Sequence, residues 1–127
     1  MAMPARFPIR FTWANRAMVL LGIVPDHCRV EVDEGELRVR MAWAFRLDVP
    51  RANVRAAAHD DRRVWAWGVH GWRGTWLVNG SSSGLVRIEL DPAGHGRVTG
   101  FPVRVRVLLV SVEDPDALVD VLTMPTR

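Results

Sequence analysis

Strict alternation of apolar and polar residues constrains this chain more than any other feature. Cys28, Val30 and Val32 alternate with Arg29, Glu31 and Asp33. Leu37, Val39 and Met41 alternate with Glu36, Arg38 and Arg40, and Phe45, Leu47 and Val49 with Ala44, Arg46 and Asp48. The same period runs through Phe7, Ile9, Phe11 and Trp13, through Val86, Ile88 and Leu90, and through Val103, Val105 and Val107. A period of two sends successive side chains to opposite faces, so each run reads as a strand with one face on a core and one in water. Ala17 to Val24 is more uniformly apolar and reads as a strand covered on both sides. Thr75 to Asn79 is extended, with Trp76 and Val78 on one face.

Turn residues punctuate these runs. "DEGE" (33–36) predicts a tight turn in which Gly35 is free to take positive φ. Pro50 ends a strand, "PRANV" turns the chain into Val54, and "HDDRR" (59–63) reads as an exposed loop. "GSSSG" (80–84) reads as a hairpin and "DPAGHG" (91–96) as a further turn. One helix is expected over 115–122. Asp114 caps it, Pro115 fits its first position, Asp116 suits the dipole, and Leu118, Val121 and Leu122 share a face. Many antiparallel strands followed by one short helix predict a mainly β barrel or sandwich with the helix over one open end.

Two stretches carry a family resemblance. "VEVDEGELRVRMAWAFRLDVPRANV" is similar to the opening of bacterial pleckstrin-homology-like (PH-like) domains: a short turn, a strand reading "LRVR", a second strand and a proline-led turn. "LLVSVEDPDALVDVL" resembles their last strand and capping helix. The resemblance runs from about Cys28 to Leu122. It implies an antiparallel, strongly bent PH-like barrel of about seven or more strands with one C-terminal helix, and a binding role. Residues 1–127 then form a single PH-like domain, with 1–27 an additional N-terminal strand region.

The length and a composition of 49% hydrophobic and 24% charged residues fit one globular domain. All seventeen basic residues are arginine, while lysine and tyrosine are absent. The pI of about 10.8 therefore reflects scarce buffering groups more than a strong field, since the net charge is only +3. The arginines are interleaved with acids, as in "RVEVDEGELRVR", so no dense basic stripe points to specific nucleic-acid binding. Cys28 is the sole cysteine; it excludes an internal disulfide, fits a cytoplasmic location, and reads as a buried structural thiol. "MAMPARFPIRF" lacks a signal-peptide core, and no apolar run is long enough for a membrane span.

Catalytic signatures are weak. "GSSSG" matches the G-x-S-x-G nucleophile elbow, but that motif needs a strand-to-helix turn, and "LVRIEL" follows with a strand's alternation. His27, His59, His70 and His95 show no metal-ligand spacing, so neither a metal nor a cofactor is expected. No acid–base pair stands out, and the chain reads as a non-enzyme.

The candidate site lies in the tryptophan-rich stretch. Residues 65–84 hold four of the six tryptophans. Trp13, Trp43 and Trp76 read as wall residues, and Trp65 and Trp67 share a strand face. Trp72 differs, because it sits in a glycine-rich "GVHGWRG" that cannot be regular strand throughout. His70, Trp72 and Arg73, with Arg62 and Arg63 near by, combine a titratable ring, an aromatic face and fixed cations. That set suits a carboxylate or phosphate on a ligand or partner. The competing placement folds Trp72 back as a lid on the core. The expected function is a non-enzymatic binding or interaction module for a partner protein or small anionic ligand. The alternative is a small-molecule-binding β-barrel with a tryptophan-lined apolar cavity. The long strand Val103–Val112, if it lies at an edge, leaves a homo-oligomer open.

Overall fold

The computed structural model describes residues 5–9, 28–42, 44–60, 68–72, 74–79 and 84–123. Nine strands form one sheet among them: β1 (Ala5–Pro8), β2 (Cys28–Val32), β3 (Glu36–Met41), β4 (Phe45–Pro50), β5 (Val54–Asp60), β6 (Gly68–Trp72), β7 (Thr75–Asn79), β8 (Leu85–Val98) and β9 (Phe101–Ser111). A 3-10 turn, Arg51–Asn53, separates β4 from β5, and one helix, α1 (Pro115–Thr123), follows β9. The lateral order is β1-β2-β3-β4-β8-β9-β7-β6, with β5 beside β8. The sheet curls until Ile9 bridges Val112 and the Glu113 N–H donates to the Pro8 carbonyl at 3.0 Å. Among the described residues the chain is mainly β and barrel-like with one C-terminal helix, the class the alternation predicts.

In β2, β3 and β4 the alternation maps onto burial residue by residue. Val30 pairs with Val39 and Val39 with Leu47, while Cys28 pairs with Met41 and Met41 with Phe45, so the apolar set shares one face. Leu37, Val39, Met41, Phe45, Leu47, Ile88, Leu108 and Leu118 are fully buried and fill the described interior. Asp114 caps α1 as expected, its Oδ1 accepting from Ala117 N–H at 3.1 Å. Leu118 and Leu122 are buried in the core, contributing about 2 kcal/mol each by area. The Arg51 guanidinium donates to the Val121 carbonyl, and His59 Nε2 lies 2.6 Å from Asp116 Oδ1, so both ends of the helix are tied down.

The structure corrects six expectations. "HDDRR" is not all loop, because β5 continues through His59 and Asp60, which pair with Val86 and Leu85. The turn at 33–36 is closed by the Asp33 carboxylate, which accepts from Gly35 and Glu36 N–H at 2.8 Å each, and Gly35 does not take positive φ. "DPAGHG" is not a turn but the middle of the fourteen-residue β8. The glycines that suggested a turn serve packing: a Cβ on Gly96 would meet the Arg46 carbonyl at 2.8 Å, and one on Gly94 would meet Leu47 Cδ1 at 3.0 Å. "GVHGW" is regular strand, paired from Gly68↔Asn79 to Trp72↔Thr75, and its irregularity is confined to the short turn before β7 that contains Gly74. "GSSSG" does not join a hairpin, because β9 lies between β7 and β8. Finally, the sheet is not wholly antiparallel: β7 runs parallel to β9, from Thr75↔Val107 to Val78↔Val110. That pairing also makes β9 an interior strand over this length.

Candidate functional site: an arginine groove at three bulges

β5, β8 and β9 each lose their regular register at one place. In β5 the pairing steps from Val54↔Leu90 to Ala56↔Glu89, leaving Arg55 as the extra residue. In β8 it steps from Glu89↔Val107 to Gly94↔Val105, so Leu90–Ala93 bow out of the β9 ladder. The cause is local: Pro92 has no N–H to donate to that ladder. In β9 the N–H groups of Arg106 and Val107 both donate to the Gly74 carbonyl, at 2.7 and 3.1 Å, as at a bulge. Buried positions accordingly shift from Val105 to Leu108 and Val110. Bulges re-aim the side chains beside them, and these three enclose one groove.

The groove has a volume of about 400 Å³. Arg55, Arg87, Arg104 and Arg106 line it, with Glu89, Asp91 and the apolar edges of Leu90, Ala93 and Val107. Arg87 reaches Glu89 at 3.3 Å and is neutralised. Arg55, Arg104 and Arg106 form no ion pair with any described residue. Four guanidinium groups thus face two carboxylates, one of them already engaged. Such a groove attracts an anion and offers fixed N–H forks to hold it.

A second groove, about 420 Å³, adjoins the first and shares Arg104 and Arg106 with it. Its other walls are Gly74, Trp76 and Val103. Trp76 is half-buried, its indole N–H donates to the Arg104 carbonyl at 3.1 Å, and the Phe45 ring lies behind it with centroids 6.5 Å apart. Gly74 has φ +84° and lies under the Arg106 stem, where a Cβ would meet Arg106 Cδ at 3.0 Å.

The residues singled out from sequence stand in a definite relation to this site. Arg62, Arg63 and Arg73 lie outside the described residues, as do the side chains of His70 and Trp72. The backbone of His70 and Trp72 is in β6, which pairs with β7. Gly74, between those two strands, lines the second groove, so the predicted stretch ends at its wall. Trp76 is a wall residue packed on the core, as expected. Arg55, Arg87, Arg104 and Arg106 were not singled out by sequence reasoning. Cys28 is buried, and burial pushes its thiol up to about 11, so it is protonated and inert at neutral pH. Gly84 is followed by β8, not by the helix that a nucleophile elbow requires. Among the described residues no cluster of three His, Cys, Asp or Glu could hold a metal ion, and no helix is long and apolar enough to cross a membrane. No family model, curated protein or solved structure matches this chain.

Proposed function

We propose that this chain is a non-enzymatic binding module whose contact surface is the arginine groove, and that it takes an anionic group on a small ligand or on a partner protein. One observation carries the reading: three strand irregularities converge so that Arg55, Arg104 and Arg106 line one groove without ion pairs to any described residue. A fold that bends three strands around such guanidinium groups forgoes ladder hydrogen bonds there, and an anionic ligand restores compensation. Among the described residues the interior is close-packed and both grooves lie at the surface, which favours a surface site over an internal one. The protonated Cys28 and the strand after Gly84 support binding over catalysis. The PH-like resemblance is part of the same proposal. A bent sheet with a C-terminal helix supports it, and the parallel β7–β9 pair departs from it.

Titration calorimetry with inorganic phosphate at low ionic strength tests the proposal. Saturable binding is expected, weakened about tenfold by Arg106→Gln, since a charge-assisted hydrogen bond contributes about 1.5–3 kcal/mol. The same substitution should leave the thermal midpoint nearly unchanged. Unsaturable heats in the wild type, or equal affinity in the variant, would remove the groove as the site.

A further inference from the structure

We infer that the ligand is a small amphiphilic anion with a flat apolar body. Its charged group sits on Arg104 and Arg106, and its planar part lies against Trp76. The inference rests on the anion-binding reading of the same groove and adds the chemistry of the rest of the ligand.

The geometry points there in three ways. First, the polar groove and the apolar groove share Arg104 and Arg106. These two residues stand two apart on one strand and are both exposed, so their guanidinium groups form the divide that a single small molecule would straddle. Second, the two compartments differ in chemistry. The first holds Glu89 and Asp91 as well as arginines, whereas the second has no carboxylate among its described walls, which are Trp76, Val103 and the bare backbone of Gly74 beside the shared arginines. An inorganic ion uses only the guanidinium groups and leaves the second compartment wet; a ligand with an apolar body covers it. Third, the indole is held in advance. Its N–H is committed to the Arg104 carbonyl and Phe45 backs it, so its orientation is set before anything binds. A fixed aromatic wall favours a flat partner, because stacking depends on ring orientation and little freedom is lost on contact. Each compartment is of the size that takes a small organic ligand.

The test compares 1-naphthyl phosphate with inorganic phosphate by calorimetry on the intact chain. The expected result is an affinity for 1-naphthyl phosphate at least about tenfold higher, an aromatic contact plus its buried area being worth that much. Trp76→Leu should cancel this advantage while inorganic phosphate still binds saturably. Because Trp76 packs on the core and the variant could unfold, a second measurement on the wild type stands beside it. Nuclear Overhauser contacts are expected between the naphthyl protons and the Trp76 ring. If phosphate binds and 1-naphthyl phosphate binds no tighter, or makes no contact with Trp76, the amphiphile is overturned while the anion groove stands. If a hexaglutamate peptide outcompetes 1-naphthyl phosphate, the occupant is an acidic peptide and this inference is likewise overturned. If none of the three probes binds, the anion-binding reading itself fails.

Discussion

Two arginine-rich regions of this sheet look alike in sequence and differ in what surrounds them. Across β2, β3, β4 and β8, four arginines fall in one lateral row: Arg29 opposite Arg40, Arg40 opposite Arg46, and Arg46 opposite Arg97. Like charges directly opposite each other destabilise a sheet. Acids on β2 and β4 engage three of the four, and Arg97 donates instead to the Gly100 carbonyl at 3.0 Å. Glu31 takes Arg29 and lies 3.8 Å from both Arg6 and Arg38, while Asp48 takes Arg40 at 2.7 Å and Arg46 at 3.6 Å. The groove arginines have no such neighbours. Positions two away from Arg55 are Asn53 and Ala57, and those flanking Arg104 and Arg106 on the same count are Pro102 and Leu108. Arg87, with Glu89 two residues on, belongs to the first kind. Arg29, Arg46 and Arg87 each have an acid two residues away on their own strand and Arg40 has Asp48 on the neighbouring strand, whereas Arg55, Arg104 and Arg106 form no ion pair with any described residue.

Breaking the seam between the two regions should have the largest effect. Gly96 lets β8 approach β4 beside Arg46, so Gly96→Ala forces backbone apart and should cost about 2–3 kcal/mol in denaturant unfolding. Removing the compensation in the paired row comes next. Asp48→Asn leaves Arg40 and Arg46 facing each other; with both partners partly solvated, a loss of about 1 kcal/mol is expected, together with new phosphate binding at that face by calorimetry. The smallest effect is the pH dependence of the same row. The Arg29 hydrogen bond, reinforced by the charges of Arg29, Arg6 and Arg38, holds the Glu31 carboxyl below its usual value of 4.5. A carboxyl depressed in the folded state contributes stability above its unfolded pKa, and that contribution is lost as pH falls through the folded value. Thermal midpoints measured from pH 6 downward should therefore fall less steeply below about pH 4.5 in Glu31→Gln than in the wild type.

How much of this could be read from the chain follows from what sets each feature. β2, β3 and β4 were legible because burial on one face imposes a period of two, and α1 because Asp114, Pro115 and the Leu118–Leu122 spacing are local signals. The course of β8 through "DPAGHG" was not, because Gly94 and Gly96 are there for close approach to Leu47 and to the Arg46 carbonyl, contacts with residues far earlier in the chain. The separation of β7 from β8 and the parallel β7–β9 pair depend on lateral strand order, which alternation does not encode. The groove was missed for the same reason. Arg55, Arg104 and Arg106 come together only through register, and the aromatic stretch at 65–76 drew attention to the neighbouring hairpin instead. A signal for them did exist: "VRVRV" at 103–107 has arginines two apart with no acid on their face, unlike "RVEV" and "RLD".

On the proposed reading the groove arginines bind an anion and the paired ones do not. Titrating the protein with inorganic phosphate while following the arginine Nε–H resonances by NMR tests it most directly. Saturable shifts are expected at Arg55, Arg104 and Arg106, with Arg29, Arg40 and Arg46 unmoved. Saturable shifts in the Arg29–Arg40–Arg46 row, with the groove arginines silent, would contradict it.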